Sequence, residues 1–421
     1  NLHTALLDAA FGSDTSLPQR AIVAECLEQF AKVLNAKTDI LSVPARTGAD
    51  AIATVAASIL NQVRPAATSL QNDPKVIMAV MDEALPYATL AGARGFASVW
   101  VQGAQPVANE TLHWLPFGHD VKGIPLGAMV LDGKKPDALE VYRKTAPIPP
   151  NARHGRAMER RFSHGASIFG HLVQSKTEPT HPMVGVSFPT EVVRDTSGAL
   201  LPYFAICGLL HVMAVSRLLS QNAGYDLPVV VNMSYGVLAG AKTGAGKFEE
   251  ALRSIGDPGA AVPNLGPVHI VLPMGNGRLS RSHARVGAGI GTEELKFRLL
   301  PDDRTPSFVE VRQLNTENLL VEVKPPSEEN WIEVQRKSLA PETKVPIGEH
   351  GQAICRNEDG GEFILLCFKP TAFKSFDQDK PCRSVLVDSR AQGQPFLEGG
   401  DGQGDDPRGD GPEKGDSEDD G

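Results

Sequence analysis

Three polar residues stand next to apolar segments in a way that could support acid–base and covalent chemistry. Asp82 directly follows the apolar run 76–81, His164 precedes an apolar helical segment, and Asn276 stands between two glycines after the apolar run 268–272. A carboxylate beside an imidazole can form a base that activates a hydroxyl nucleophile. Residues of these types could therefore form a site for acid–base chemistry, provided that the fold brings them together.

Each of these residues also has a purely structural interpretation. An Asp after a strand and an Asn between glycines commonly form turns. A single His on a helix is commonly a satisfied core or surface residue. The functional hypothesis therefore depends on the three segments occurring together and in a fixed order.

The apolar runs that would position these residues alternate with helical patterns. Continuous apolar runs of this kind are typical of strands that are buried on both faces of a sheet. The predicted strands lie at 76–81, 183–186, 229–231 and 268–272, and the predicted helices at 138–144, 164–174, 202–221 and 246–254. This alternation predicts an α/β, doubly wound, mainly parallel sheet over residues 71–291. Ligand sites in such sheets lie beyond the carboxyl ends of the strands, where Asp82 would be.

The flanking regions have different patterns. Residues 1–70 are predicted to form a helical N-terminal region, with helices at 19–34 and 47–63. From residue 292 apolar and polar residues alternate with a period of two, which predicts an antiparallel β module over 292–390. The predicted strands of this module lie at 295–299, 308–311, 319–323 and 363–368. The Gly- and Asp-rich stretch 391–421 is predicted to be a disordered tail.

Composition excludes several classes of function. The chain has 421 residues and a net charge of −9, and residues 398–421 carry seven Asp, three Glu, one Arg and one Lys. That segment sums to −8 and leaves −1 for the body, which argues against a nucleic-acid partner. No apolar run in the sequence approaches the ~18 residues of a membrane span, so no membrane partner is predicted.

The five cysteines are scattered and form no Cys-x-x-Cys pair, so neither a structural metal nor another cofactor is predicted. Their odd number indicates a reducing, cytoplasmic compartment, although a chain that begins at Asn1 leaves a missing leader open. Gly244 to Lys247 resembles part of a phosphate-binding loop. That motif requires a Gly at the position of Ala241 and a hydroxyl residue at Phe248, so nucleotide binding is a distant alternative.

Four segments together resemble the subtilase family of serine proteases. In the order of that family they are Val80-Met81-Asp82, Ser163-His164-Gly165, Asn232-Met233-Ser234-Tyr235-Gly236 and Met274-Gly275-Asn276-Gly277. The first is similar to the strand that ends at the catalytic Asp, and the second to the His-Gly that opens a buried helix. The third is similar to the substrate-binding strand, and the fourth to the segment that carries the oxyanion-hole Asn.

The resemblance implies a serine endopeptidase with a subtilisin-like fold that acts on peptides or proteins. In that interpretation Asp82 orients His164, His164 is the general base, and Asn276 stabilises the oxyanion. Ser234, Tyr235 and Gly236 would bind an extended peptide substrate. The β module is similar to one that some bacterial subtilases carry after the oxyanion segment.

The sequence also departs from the family. Ala84 stands where the family has Gly, and Ala166-Ser167 where it has Thr-His. Asp132, 32 residues before His164, is a second candidate for the triad acid. Asp82 is preferred because its apolar run is longer and is not followed by lysines.

The largest departure concerns the nucleophile. The family places its Ser in a Gly-Thr-Ser segment after the oxyanion residue, and this chain contains no Gly-Thr-Ser. Two expectations remain open. Either the chain stops before its nucleophile, or the protein is a non-catalytic, peptide-binding pseudoenzyme.

Overall fold

The computed structural model describes only part of the chain. The described residues are 2–35, 75–103, 115, 117–122, 141–142, 163–173, 181–195, 198–237, 240, 244–257, 259, 261–275, 282–284, 292–301, 303, 306–312, 320–325, 328–335, 344–358, 361–371 and 386–392. The predicted helix at 47–63 and most of the one at 138–144 lie outside these residues.

The helices within this part of the chain are numbered here in chain order. They are α1 (Leu2–Phe11), α2 (Pro18–Asn35), α3 (Leu90–Gly95), α4 (His164–Leu172), α5 (Thr190–Arg194), α6 (Leu201–Ala223) and α7 (Lys247–Ile255). The helices predicted at 19–34, 164–174, 202–221 and 246–254 correspond to α2, α4, α6 and α7, so these four predictions are confirmed.

A six-stranded sheet forms the centre of the α/β part. Its strands are β1 (Ile77–Glu83), β2 (Phe96–Val101), β3 (His119–Lys122), β4 (Met183–Phe188), β5 (Val229–Met233) and β6 (Val268–Val271). The spatial order is β3-β2-β4-β1-β5-β6, and every neighbouring pair is parallel except β2 with β3. The sheet is therefore mainly parallel, as predicted, and β1 lies inside it, with strands on both sides.

Helices cover both faces of this sheet. On one face, Ala79 and Met81 of β1 share a buried cluster with residues of α1, α2, α6 and α7. On the other face, Val80 packs in a second cluster with Phe169 of α4 and Ala93 of α3. A strand covered on both faces requires a continuous apolar sequence, and this explains the pattern of β1.

Helix α6 is the central element on the first face. It is long and apolar enough to cross a membrane, but 94% of its apolar 18-residue window is buried inside the protein. Among the described residues it is the one helix with this property. Its burial against the sheet accounts for its apolar composition.

A buried polar network connects α6 to the edge of the sheet. Ser98 of β2 donates its hydroxyl to Asp120 Oδ1 over 2.6 Å, and its Oγ lies 3.0 Å from His211 Nε2. The Trp100 ring lies against the same imidazole, with 5.4 Å between ring centroids. Because the Ser98 hydroxyl donates its only proton to Asp120, its oxygen can only accept from His211. His211 must therefore carry a proton on Nε2 and donate it to Ser98 Oγ.

This network predicts loss of stability in acid. Burial lowers the pKa of His211 from 6.5 to about 3, so the neutral ring stabilises the fold above pH 6.5 and that contribution is lost as the pH falls toward 3. We expect the free energy of unfolding to fall by several kcal/mol over this range in urea titrations. His211→Gln keeps a hydrogen-bond donor that does not titrate, so it should flatten the dependence of the free energy of unfolding on pH. His269→Gln, at an exposed site, should leave that dependence unchanged. Equal slopes for all three proteins would contradict this role of His211.

The second part of the chain is a β-sandwich. Its strands are β7 (Thr292–Arg298), β8 (Ser307–Arg312), β9 (Leu320–Lys324), β10 (Ile332–Gln335), β11 (Lys344–Ile347), β12 (Gly351–Glu358), β13 (Gly361–Phe368) and β14 (Leu386–Gln392). They form two antiparallel sheets, β10-β9-β14-β7 and β11-β12-β13-β8. Val321 and Val323 from one sheet share a buried cluster with Ile364 and Leu366 from the other. The predicted antiparallel module is therefore present, and β14 extends two residues into the stretch that was predicted to be a tail.

Candidate active site

Asp82 and His164 are in direct contact. His164 Nδ1 lies 2.9 Å from Asp82 Oδ1 and 3.0 Å from Oδ2, so the contact predicted from the sequence is confirmed. The Asp82 side chain is 0% exposed, whereas the His164 side chain is 50% exposed. The Asp82 carboxylate is therefore fully buried, while the His164 imidazole remains accessible to a substrate or to a further side chain.

The ends of β1 and α4 bring these two residues together. Asp82 lies at the carboxyl end of β1, and His164 is the first residue of α4. Ser163 caps the helix, because its Oγ accepts from the Ala166 amide at 2.9 Å and donates to the Ala84 carbonyl at 2.8 Å. One hydroxyl thus caps the helix and attaches it to the turn after Asp82.

Gly165 permits the close approach of α4 to β1. A Cβ at this position would lie 1.9 Å from the Glu83 carbonyl oxygen and 3.2 Å from Asp82 Cβ. Real side chains do not tolerate the first of these distances, because the obstructing atom is backbone. The His-Gly pair is therefore a geometric requirement for the contact between Asp82 and His164.

Glu83 also supports the site, although the sequence pattern does not predict this role. Its Oε1 accepts from the His164 backbone amide at 3.0 Å, and its own amide donates to Asp82 Oδ1 at 2.7 Å. A carboxylate at the first turn of a helix also interacts favourably with the helix dipole. The signal in the sequence was a second acidic residue directly after the candidate Asp.

Burial dominates the electrostatics of Asp82. Desolvation raises the pKa of its carboxyl above 3.8, the nearby charge of Glu83 raises it further, and His164 with the Glu83 amide opposes the shift. Because the pKa is raised on folding, the protonated acid stabilises the fold at low pH, and this contribution is lost as the pH rises through the raised value. The ionised Asp82 that the site needs therefore lowers stability, as is common for functional groups.

The candidate peptide-binding segment lies beside His164. The Tyr235 ring meets the His164 ring edge-on at 5.8 Å and the Phe188 ring at 5.6 Å. Asn232 Nδ2 donates to Ser234 Oγ at 2.9 Å, and Gly236 is exposed. Burial, together with Asp82 and Glu83, raises the pKa of Tyr235 well above its usual value, so its hydroxyl stays protonated. The structure therefore brings Asp82, His164 and Tyr235 together.

Two of the sequence candidates lie outside the described residues. They are Asn276, the predicted oxyanion donor, and Asp132, the second candidate acid. Gly275, directly before Asn276, follows the end of β6 with a φ of +88°, a conformation that favours glycine. The catalytic roles assigned to these residues stay predictions.

The other candidate chemistry has little support in this part of the chain. Within the described residues, no group of three or more His, Cys, Asp or Glu side chains could hold a metal ion. At the start of α7, Lys247 Nζ lies 3.4 Å from Glu25 Oε1 and 3.0 Å from Glu250 Oε2. The Glu249 carboxylate lies against Gly246, so acidic groups already occupy the surroundings where a phosphate would bind.

Comparisons with known proteins add no assignment. No family model matches the chain, and no curated protein and no solved structure matches it.

Ala84 provides a test of the turn after Asp82. Its φ is +36°, so a residue with a Cβ stands where the subtilase pattern has Gly. Ala84→Gly should raise the free energy of unfolding by about 0.5–1 kcal/mol, because relief of strain exceeds the entropic cost of glycine. Ala21→Gly, at an exposed site in α2, should instead lower it by about 0.5–1 kcal/mol. Urea denaturation measures both, and a similar loss in both variants would contradict strain at Ala84.

Proposed function

We propose that this chain belongs to a serine endopeptidase with a subtilisin-like fold. The observation that carries the proposal is the sealed Asp82 carboxylate held against Nδ1 of a half-exposed His164. This contact lies at the carboxyl edge of a mainly parallel sheet, where such folds place their sites. The adjacent Tyr235 segment supplies a surface for substrate beside the same imidazole.

The geometry supports a base that acts through the other ring nitrogen. When Asp82 is ionised, Nδ1 must carry a proton in order to donate to it, which leaves the lone pair on Nε2. Nε2 would accept the proton of a serine hydroxyl and then return it to the leaving amine. Asp82 would stabilise the imidazolium that forms in between.

Two further groups complete the proposed reaction. The Asn276 amide would donate to the tetrahedral oxyanion, a contact of a kind that contributes roughly 10²–10³ in turnover. The resemblance implies that the nucleophile is the serine of a Gly-Thr-Ser segment. Both assignments derive from the resemblance to subtilases and from the position of β6 next to β5.

The proposed substrate is an extended peptide. Ser234 to Gly236 directly follow β5 at the edge of the sheet that carries Asp82. Backbone groups of such a segment can pair with a peptide in the manner of an added strand, which gives affinity with little sequence preference. Peptides and unfolded proteins are therefore the proposed substrates.

The second candidate function is peptide binding without catalysis. The absence of a Gly-Thr-Ser segment from the 421 residues favours it. In that case the fold and the peptide-binding segment 234–236 are retained, and the pair Asp82–His164 has no hydroxyl to activate.

Hydrolysis of an unstructured substrate distinguishes the two functions. The protein encoded by the complete reading frame is incubated with oxidised insulin B chain, and the products are identified by mass spectrometry. Cleavage that is lost in His164→Ala supports the endopeptidase. Binding of the peptide without cleavage supports the second candidate. Neither cleavage nor binding would overturn both.

A further inference from the structure

The β-sandwich reaches the end of the candidate peptide-binding segment through one side chain. Glu310 on β8 accepts a hydrogen bond at Oε2 from the Gly240 amide, over 2.8 Å. Gly240 follows Val237 by three residues, and Val237 is continuous with Ser234 to Gly236. A carboxylate of the sandwich therefore holds the backbone just beyond the residues proposed to pair with substrate.

The side chain of Glu310 is itself held in place. Arg312 Nε donates to the same oxygen, Glu310 Oε2, over 3.0 Å. The Arg312 guanidinium lies 4.0 Å from the centre of the Phe363 ring, which belongs to the neighbouring strand β13. The side chains of Arg312 and Glu310 are 17% and 20% exposed, so solvent screens this ion pair only partly.

The receiving backbone is suited to such an anchor. Gly240 has a φ of +103°, a conformation that residues with a side chain rarely adopt, and a Cβ at this position would meet no atom within 4 Å. Gly240 itself has no side chain that could anchor this backbone. A charge-assisted hydrogen bond from a fixed carboxylate can therefore determine where the turn lies.

We infer that the β-sandwich takes part in peptide binding, with Glu310 as the positioning residue that holds Gly240 and thereby orders the preceding residues Ser234 to Val237. This inference depends on the proposed function, because it assumes that the segment binds peptide. Without the anchor, the segment must be ordered by the peptide itself, and the cost of that ordering lowers affinity.

The test measures affinity and local order in the same set of variants. Fluorescein-labelled oxidised insulin B chain is titrated into the His164→Ala protein, which cannot cleave it, and fluorescence anisotropy gives the dissociation constant. Adding Glu310→Ala should weaken binding about tenfold, the scale of a lost hydrogen bond to a charged group. Amide hydrogen exchange at Gly240 and over residues 234–237 should become faster in the same variant.

Two further variants separate positioning from a general loss of structure. Glu310→Gln keeps an acceptor for the Gly240 amide without the charge, so it should restore most of the affinity. Glu333→Ala removes an exposed carboxylate from β10, on the other sheet, and should change neither measurement. Unchanged affinity in Glu310→Ala, with or without faster exchange, would overturn the inference. If the His164→Ala protein itself fails to bind the peptide, the proposed function fails and the inference fails with it, although hydrogen exchange still shows whether Glu310 holds the turn.

Discussion

Replacing His164 by alanine is expected to lower turnover in peptide hydrolysis by the full-length protein about 10⁴- to 10⁶-fold. The reason is that a serine hydroxyl is a weak nucleophile near neutral pH and depends on an adjacent base. Asp82→Asn should lower turnover about 10⁴-fold, because an amide at this position favours the wrong tautomer of the ring. Initial rates on a quenched fluorescent peptide measure both losses.

The control for this prediction is a histidine outside the site. His269→Ala removes an exposed imidazole from β6 and should leave turnover within about twofold of the unmodified protein, as is usual for surface changes. Double replacement of Asp82 and His164 should cost little more than His164→Ala alone, since the members of a triad act as a unit. Hydrolysis that persists in His164→Ala would exclude the assigned base.

Replacing Gly165 by alanine is expected to cost about 2–4 kcal/mol of folding free energy and to separate His164 from Asp82. The new Cβ would lie 1.9 Å from the Glu83 carbonyl oxygen, and relief of that overlap requires α4 to move away from β1. Urea denaturation measures the stability. The chemical shift of the His164 Nδ1 proton reports whether the hydrogen bond to Asp82 is retained.

Helix α4 provides its own control for this substitution. Gly170 lies in the same helix, and a Cβ there would meet nothing within 4 Å. Gly170→Ala should therefore stabilise the protein by about 0.5–1 kcal/mol through helix propensity, with the Asp82 contact unchanged. Similar effects of the two substitutions would show that α4 does not need its close approach to β1.

The elements nearest the site could be predicted because their surroundings impose a simple pattern. Strands β1, β4 and β5 have apolar runs because each lies inside the sheet. β6 is an edge strand in which Val268 is buried but His269 and Val271 are exposed, so the prediction that 268–272 is buried on both faces is wrong. The contact between Asp82 and His164 could be inferred because the Asp ends such a strand and the His-Gly pair opens a helix. The reason for this contact could not be inferred from the sequence. Only the structure shows that α4 lies too close to β1 for any residue larger than glycine at position 165.

Other features have no local signature. Strand β2 was not predicted, because Ser98 interrupts its apolar pattern. The hydroxyl of Ser98 is buried and contacts Asp120 and His211. The role of Glu83 depends on a helix that begins 81 residues later in the chain. The positive φ of Ala84 likewise has no signature in the sequence, because alanine rarely adopts that conformation.

The most direct test of the proposed Asp82–His164 base is covalent labelling of the serine that it activates. The protein encoded by the complete reading frame is treated with a fluorophosphonate, and the modified residue is located by mass spectrometry. The expected result is stoichiometric labelling of one serine in a Gly-Thr-Ser segment, lost in His164→Ala and strongly slowed in Asp82→Asn. The absence of labelling, or labelling that persists in His164→Ala, would contradict the assignment.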